Sequence, residues 1–418
     1  MCSKVVNSSV VSVTILLSML IVSCSDAGER SSNIVTITGK TMGTVYNVKL
    51  TRQPANASLQ EVESGIQAIL DKIDSLMSTY RADSELSRFN RFKGVGWFDV
   101  SPETAKVIAE ARRVSEITDG AFDATVGPLV DLWRFGPNAR LTELPSKVQI
   151  EKTKQRVGFH RLDVRLEPPS IRKTMHDLHV DLSAIAKGYA VDMVCEYLKG
   201  LPVSGYMVEI GGEVRTEGKR NDGMPWSIGI ESPMADRRFI HKVIRLQGKA
   251  MATSGDYRNF YEFEGKRYSH TIDPQTGKPV EHDSASVSVV ADSCMHADAM
   301  ATALMVLGPD RGFQLANDLA LPVLFLSIDR QGNTTERMSP SFALMIQKTE
   351  SSPFKLLFIT VAIFGLAMAG MAVGVFFKRR QLRGSCGGLA GLANEQGHPM
   401  CDVCTEPPES CKFKKNTR

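Results

Sequence analysis

Residues 181–192 read DLSAIAKGYAVD, and this stretch constrains the architecture more than any other segment of the chain. A strand is expected to end at Asp181, and Ile185–Leu198 carries apolar residues at helical spacing. A strand that leads directly into a helix points the free N–H groups of the helix toward one place, which suits a phosphate. Lys187 lies in the first turn of this helix, where the helix dipole disfavours a cation, and a nearby phosphate would remove that conflict. A surface lysine with a solvated ammonium is the alternative.

The segments around this stretch mix helices and strands in irregular order. Leu59–Met77 has the spacing of a helix, and Ser101 should cap a second helix that has Pro102 in its first turn and runs to about Thr118. Further helices are expected at Ile185–Leu198, Cys294–Leu307 and Gly308–Asn317. Strands are expected at Ile34–Leu50 (a pair broken at Gly39–Gly43), His179–Asp181, Tyr206–Thr216, Trp226–Glu231, Phe239–Leu246, Asn259–Tyr268 and Ser284–Val290. This order predicts an α+β fold and not a doubly wound parallel sheet.

The N-terminal residues 1–24 are interpreted as an export signal. Lys4 precedes the apolar run Val10–Val22, which is too short to span a hydrocarbon core of about 30 Å. The run ends in Ile-Val-Ser-Cys, which resembles a bacterial lipobox, so we expect Cys24 to be lipidated. An uncleaved anchor or an ordinary signal peptide is the alternative.

The segment Leu356–Phe377 contains no charged residue and would reach about 33 Å as a helix, which predicts a single transmembrane helix. Lys378, Arg379 and Arg380 follow it, and such charges favour the cytoplasmic side. We therefore expect a protein of the bacterial inner membrane, with a periplasmic catalytic domain and a cytoplasmic tail at residues 378–418.

Composition and cysteine usage narrow the function classes. The net charge is only +4 in 418 residues, with no basic stripe, so no nucleic-acid partner is expected. The exported domain contains only Cys195 and Cys294, whereas the tail contains Cys386, Cys401, Cys404 and Cys411. This distribution argues against a fold built on disulfides. The chain also lacks a GxGxxG fingerprint and a P-loop, so a nucleotide must be held in another way.

Asp298 and Thr302 are the candidate metal ligands. They are four residues apart in a predicted helix and so share one face of it. A carboxylate, a hydroxyl and nearby carbonyl groups offer only oxygen ligands, which favours Mg²⁺. A solvated aspartate is the alternative.

His270 is the candidate general base. It precedes Asp273-Pro274-Gln275-Thr276-Gly277, a turn signature, and so stands between a strand end and a turn among polar neighbours. Tyr80 and Phe122 lie near small and polar residues, where an aromatic ring can stack on a planar ligand. The alternative for His270 is a structural role. The alternative for Tyr80 and Phe122 is a place in the hydrophobic core.

Taken together, the segments resemble the ApbE family, the FAD:protein FMN transferases, over Ile34–Gln347. The matching segments stand in family order: GKTMGTVY (39–46), MSTYRADSELSRFN (77–90), GAFDATVGPLVDLWRFGP (120–137), DLSAIAKGYAVD (181–192), EIGGEVRTEGKR (209–220), ATSGDYRNF (252–260), SHTIDPQTGKP (269–279) and ADAMATAL (297–304). The resemblance implies an ApbE-like flavin transferase fold. It also implies an enzyme that uses FAD and Mg²⁺ to move FMN onto a Thr or Ser hydroxyl of an acceptor protein, with release of AMP.

The resemblance also implies roles for individual residues. Contacts with FAD are expected at Met42, Tyr80, Ala121, Phe122, Asp123, Asp181, Lys187 and Ile272. Metal ligands are expected at Ala184 (through its carbonyl), Asp298, Ala301 and Thr302, and His270 matches the histidine implicated in catalysis. Many relatives carry Glu where this chain has Lys187. An FAD pyrophosphatase and a non-catalytic flavin-binding lipoprotein are the alternative functions.

The tail has a resemblance of its own. The apolar segment, the basic cluster and the spacing of Cys386, Cys401, Cys404 and Cys411 are similar to the NqrM-type maturation factor of the Na⁺-translocating NADH:quinone reductase. This resemblance implies iron at the tail cysteines and delivery of that iron to the complex. Zinc and idle thiols are the alternatives. The acceptors of FMN would then be subunits of the same or a related complex.

Overall fold

The computed structural model describes residues 34–135, 143–234, 239–256, 260–329, 333–347 and 353–378. The chain divides into two compact units, residues 1–349 and 350–418. Cys24 and the four tail cysteines lie outside the described residues, so lipidation and metal binding at these positions stay predictions.

The strands are β1 (Val35–Thr41), β2 (Thr44–Leu50), β3 (Trp97–Asp99), β4 (Leu162–Leu166), β5 (Pro169–Lys173), β6 (Gly205–Ile210), β7 (Glu213–Gly218), β8 (Trp226–Glu231), β9 (Ile240–Leu246), β10 (Ala250–Gly255), β11 (Phe260–Phe263), β12 (Lys266–Ser269), β13 (Ile272–Asp273), β14 (Lys278–Pro279), β15 (Ser284–Ala291), β16 (Val323–Ile328) and β17 (Thr334–Met338). The helices are α1 (Leu59–Met77), α2 (Glu85–Arg91), α3 (Pro102–Ile117), α4 (Gly127–Leu132), α5 (Lys147–Lys154), α6 (Ala186–Lys199), α7 (Cys294–Asp318), α8 (Pro340–Gln347) and α9 (Pro353–Lys378).

An eight-stranded sheet organises the first unit, in the order β1-β2-β6-β7-β10-β15-β16-β17. Each neighbouring pair in it is antiparallel. A three-stranded sheet, β3-β5-β4, and three hairpins, β8–β9, β11–β12 and β13–β14, complete the described strands. The mixed α and β content agrees with the predicted class, and the antiparallel pairing separates the fold from parallel doubly wound sheets.

The main core lies between this sheet and helices α1, α6 and α7. A second apolar cluster, with Trp226 and Phe342, covers the other face of the sheet. Because side chains alternate along a strand, Val214 joins the second cluster while Glu213 faces the helices. Strand β7 therefore brings a carboxylate to the side where α6 and α7 meet.

Local sequence signals locate several elements closely. Helix α1 has the predicted bounds, and Ser101 caps α3 by accepting a hydrogen bond from the N–H of Thr104. The predicted break after residue 307 is also present, since Gly308 interrupts α7 with φ 75° and ψ −179°. Each of these features depends on neighbours within a few residues.

The predicted strand at His179–Asp181 is wrong. The N–H and C=O of Val180 bond to the side chain of Asn90, at 2.8 and 2.9 Å, and the N–H of Asp181 bonds to the C=O of Ala124 at 2.7 Å. The segment is extended, but a side chain and a loop satisfy its backbone instead of a neighbouring strand. Helix α6 then begins at Ala186, and Lys187 lies in its first turn as predicted.

The second unit contains α9, which covers the segment predicted to cross a membrane. Among the described residues, no helix combines the length and apolarity that a membrane span requires, so the predicted transmembrane helix at 356–377 is not supported.

Candidate active site

Helices α6 and α7 touch at Gly188 and Asp298. The main-chain N–H of Gly188 donates to Oδ2 of Asp298 at 2.9 Å, and Asp298 is only 5% exposed. A Cβ at position 188 would lie 2.4 Å from the carbonyl oxygen of Cys294, so only glycine fits this approach. The bond places the carboxylate of Asp298 at the N-terminus of α6, where the helix dipole favours an anion. Asp298 is therefore not a solvated aspartate.

Asp192 fixes the start of α7. Its two carboxylate oxygens accept the N–H groups of Cys294 and Met295, each at 2.9 Å, and Arg215 of β7 donates to it at 2.6 Å. Ser293 also accepts the N–H of His296 at 3.1 Å. These bonds satisfy three of the free N–H groups of the helix, so the position of Asp298 is set from both α6 and β7.

A buried ion pair stands beside Asp298. The ammonium of Lys187 donates to Oε1 of Glu213, whose side chain is 4% exposed. Burial alone would lower the pKa of Lys187, but Asp298 and Glu213 outweigh burial and raise it. Burial raises the pKa of Glu213 and of Asp298, against the opposing effect of Lys187. Lys187 is thus a cation paired with Glu213 and not a free surface lysine.

Two turns bring Lys187 close to the β1–β2 hairpin: the Met42–Gly43 turn between β1 and β2, and the Gly211–Gly212 turn between β6 and β7. Met42 occupies the turn of that hairpin with φ 47°, and the N–H of Gly211 donates to the C=O of Val45 at 3.1 Å. A Cβ on Gly211 would lie 3.0 Å from Thr44 and 3.5 Å from Cδ of Lys187. The first and the fifth segments of the family pattern, GKTMGTVY and EIGGEVRTEGKR, therefore meet at Lys187.

The loop at residues 121–123 is buried and internally bonded. Asp123 accepts the N–H and hydroxyl of Thr125 at 2.7 Å each and the N–H of Phe159 at 2.8 Å. Burial raises the pKa of Asp123, with these hydrogen bonds acting against the rise. Phe122, only 3% exposed, belongs to the main core, and Ala121 is buried to the same extent. The bond from Asp181 to Ala124 connects this loop to the segment that enters α6.

Asp181 and Ala184 stand in that entry segment. Both are half-buried, and Oδ1 of Asp181 accepts the N–H of Ser183 at 2.8 Å. Ile185, the N-cap residue of α6, supplies no side-chain hydrogen bond to the first turn of the helix. One of the N–H groups predicted to face a phosphate, that of Gly188, is taken by Asp298. Tyr80, on the loop after α1, is 70% exposed, which excludes a place for it in the core.

His270 lies on a separate aromatic cluster between β12 and β13. Its ring meets the ring of Phe135 edge-on, with the ring centroids 6.4 Å apart. Stacked pairs continue from Phe135 to Tyr261 at 4.7 Å, to Tyr268 at 5.6 Å and to Trp133 at 5.8 Å. Ile272, 6% exposed, packs in the same cluster. Four rings therefore support the backbone on which His270 stands.

Three of the predicted metal ligands, Asp298, Ala301 and Thr302, lie in α7 before the break at Gly308, whereas Ala184 lies before α6. Ala301 is 1% exposed, and Thr302 is half-buried one turn after Asp298. Within the described residues, no group of three or more His, Cys, Asp or Glu side chains could hold a metal ion. The predicted donors are one carboxylate, one hydroxyl and two carbonyls, which is oxygen chemistry that suits Mg²⁺ with phosphate and water. Asp298 and Glu213 together carry one negative charge more than Lys187 neutralises, which favours a cation.

Sequence reasoning missed four residues that build this site. Glu213, Asp192 and Asn90 lie inside the matching segments but received no role. Lys173 is fully buried and donates to the C=O groups of Phe89, Asn90 and Leu178 at 3.2–3.4 Å, and burial lowers its pKa to about 8. The only local signal was at Asp192, a carboxylate within the apolar run 190–194.

Comparison with known proteins agrees with this arrangement. Residues 42–325 match the ApbE family, and residues 375–417 match the family described as (Na+)-NQR maturation NqrM. The FAD:protein FMN transferase of Vibrio cholerae is 43% identical over 320 residues, which cover 77% of this chain and 95% of that protein. The enzyme of the same description from Haemophilus influenzae is 40% identical over 352 residues, covering 83% of this chain and 100% of that protein. The solved structure of the flavin transferase ApbE from Vibrio cholerae superposes with a TM-score of 0.69, covering 75% of this chain and 99% of that one.

Proposed function

The chain belongs to the ApbE family, and on that premise we propose that it uses Mg²⁺ and FAD to attach FMN to Thr or Ser hydroxyl groups of exported proteins. Its assignment as an FAD:protein FMN transferase follows from its sequence identity of 38–43% with enzymes of that description. The observation that carries the Mg²⁺ requirement is the buried carboxylate of Asp298 at the N-terminus of α6, beside Lys187 and Glu213. This arrangement has an excess of negative charge beside a helix end suited to phosphate.

The reaction exchanges one phosphorus–oxygen bond for another. The acceptor hydroxyl oxygen bonds to the phosphorus of the FMN half of FAD, the bond to the AMP phosphate breaks, and AMP leaves with the electron pair. His270, whose half-buried ring packs edge-on against Phe135, takes the hydroxyl proton, the role that the family pattern implies. The positive charge of Lys187 and the N–H groups at the start of α6 that Asp298 does not take would oppose the negative charge of the pyrophosphate.

Asp298, the Thr302 hydroxyl and the carbonyls of Ala184 and Ala301 would hold Mg²⁺. Bound there, Mg²⁺ would neutralise charge that develops on the pyrophosphate oxygens. The flavin and adenine parts of FAD would contact the residues that the family pattern implies. These are Met42, Tyr80, Ala121, Phe122, Asp123, Asp181, Lys187 and Ile272. The exposed ring of Tyr80 supplies a flat apolar face for such a contact.

The acceptor is proposed to be a subunit of a Na⁺-translocating NADH:quinone reductase or a related complex. The NqrM match at residues 375–417 supports this choice, because it connects the same chain to maturation of that complex. We further propose that the catalytic unit is periplasmic and held at the inner membrane by a lipid on Cys24. Cys386, Cys401, Cys404 and Cys411 would bind iron for the same complex.

Incubation of the protein with FAD and an acceptor subunit, with Mg²⁺ or with EDTA, tests the proposal. Covalent flavin fluorescence on the acceptor is expected only with Mg²⁺, and it should disappear when the target Thr of the acceptor is replaced by Val. Full labelling in EDTA would exclude the Mg²⁺ requirement. Free FMN and AMP without labelling would indicate a pyrophosphatase, and unchanged FAD a flavin carrier.

A further inference from the structure

Glu213 carries a buried charge that the proposed reaction does not use. It is the first residue of β7, directly after the Gly211–Gly212 turn, and it is 3% exposed. Its Oε1 accepts from Lys187, whereas its Oε2 has no hydrogen-bond partner among the residues that the structure describes. A buried carboxylate that is only half satisfied is unfavourable, which points to a role for Glu213 other than stabilising the fold.

Lys187 bonds to one carboxylate and adjoins the residue that holds another. Its ammonium bonds to Glu213, and its main chain precedes Gly188, whose N–H holds Asp298. The charges of Asp298 and Glu213 both favour the protonated ammonium of Lys187, and together they outweigh burial and raise its pKa. The lysine side chain passes close to Gly211, where a Cβ would lie 3.5 Å from Cδ of Lys187. Without Glu213, the tethered ammonium is still attracted by the carboxylate of Asp298.

We propose that Glu213 is a positioning residue that holds the Lys187 ammonium away from Asp298 and so leaves Asp298 free to bind a divalent cation. This inference rests on the proposed role of Asp298 as a metal ligand. A tethered ammonium and a divalent cation compete for one carboxylate, and a tethered competitor acts at a high effective concentration. The Lys187–Glu213 pair thereby sets the metal affinity of the site without a contact between Glu213 and the metal.

A titration of the full chain with Mn²⁺ tests the inference. The electron spin resonance signal of free Mn²⁺ measures binding, and every variant is saturated with FAD. Glu213→Gln should weaken Mn²⁺ binding by about 10- to 100-fold, the usual effect of losing a partner behind a metal ligand. Lys187→Met should leave the affinity equal or tighter. In the Lys187→Met background, Glu213→Gln should change it by less than about threefold, because the competitor is gone.

The double-substitution cycle separates this mechanism from a simple field effect. An equal loss of affinity from Glu213→Gln in both backgrounds would overturn the inference, because it would mean that Glu213 acts only through its own charge. No loss in either background would overturn it too. Thermal melting of each variant identifies misfolding. If Glu213→Gln melts at a lower temperature than the unsubstituted protein, the doubly substituted protein, which lacks both charges, provides a folded reference.

Asp298→Asn, measured in the same way, reports on the proposed function separately. It should abolish Mn²⁺ binding. Unchanged binding in Asp298→Asn would refute the metal site itself, whereas loss of binding there with no effect of Glu213→Gln would refute only the positioning role.

Discussion

The N–H of Gly188 and Oδ2 of Asp298 are joined by a 2.9 Å hydrogen bond that links the start of α6 to the side of α7. Two segments of the family pattern, more than a hundred residues apart in the chain, meet at this bond. It both fixes the carboxylate and places it in the positive field of the helix N-terminus. Substitutions at this contact and around it should therefore change stability, metal dependence and catalysis in separable ways.

Gly188→Ala should separate the two helices. The added Cβ would lie 2.4 Å from the carbonyl oxygen of Cys294 and 2.8 Å from Cβ of Asp298. We expect the free energy of unfolding in urea to fall by about 1–3 kcal/mol, as for other overpacked contacts. Gly96→Ala is the matched control, since a Cβ there meets no atom within 4 Å. An equal effect of the two substitutions would contradict the close approach.

Asp298→Asn should abolish Mg²⁺-dependent labelling of the acceptor and leave the fold intact. The amide oxygen still accepts the N–H of Gly188, but the negative charge that attracts the cation is lost. Flavin fluorescence of the acceptor band measures the effect. Asp310→Asn on the same helix, where the side chain is 93% exposed, should keep full activity. Retained labelling by Asp298→Asn at limiting Mg²⁺ would remove Asp298 from the metal site.

His270→Ala should lower the rate of FMN transfer far more than the affinity for FAD, because a base acts in the chemical step. A loss of about 10²- to 10⁴-fold in rate is expected for a general base. Single-turnover labelling gives the rate, and quenching of flavin fluorescence gives the affinity. His160→Ala, at an exposed histidine, serves as the control. A large loss of affinity with unchanged turnover at saturation would make His270 a binding residue.

Glu110→Gln should lower the stability in a pH-dependent manner. Burial would raise the pKa of Glu110, but hydrogen bonds from His296 at 2.9 Å and Arg113 at 2.6 Å outweigh it and lower the pKa to about 2. A carboxyl group whose pKa is lowered by folding stabilises the fold above its unfolded pKa, and that contribution disappears as the pH falls toward the folded pKa. We expect the variant to lose about 1–2 kcal/mol at pH 7.

The difference between the variant and the unsubstituted protein should shrink as the pH falls from about 4.5 toward 2. Urea unfolding across this range measures it. Glu116→Gln, on the same helix and with a side chain 57% exposed, should show little difference at any pH. A constant difference for Glu110→Gln down to low pH would mean that its effect is not electrostatic.

Elements with local signals could be predicted from the amino-acid sequence. Helix α1 follows from apolar spacing within 19 residues, and α3 starts where Ser101 caps it and Pro102 favours the first turn. The β13–β14 turn follows from Asp273-Pro274-Gln275-Thr276-Gly277, in which the N–H of Gly277 bonds to the C=O of Asp273 at 2.8 Å. The order of the motifs was also sufficient to indicate the family, because that order can be read directly from the amino-acid sequence.

The pairing of polar groups, in contrast, depends on the folded chain. The segment at His179–Asp181 looks like a strand, yet its partner is the side chain of Asn90, 90 residues before Val180. Lys187 reads as a phosphate ligand or a surface residue, and its partner proves to be Glu213, 26 residues later. Asp192 lies in the most informative stretch of the chain, but its function as the cap of α7 depends on residues 102 and 103 positions away. Periodicity and capping act over a few residues, whereas a buried charge is placed by whichever distant group can neutralise it, and only folding brings that group near.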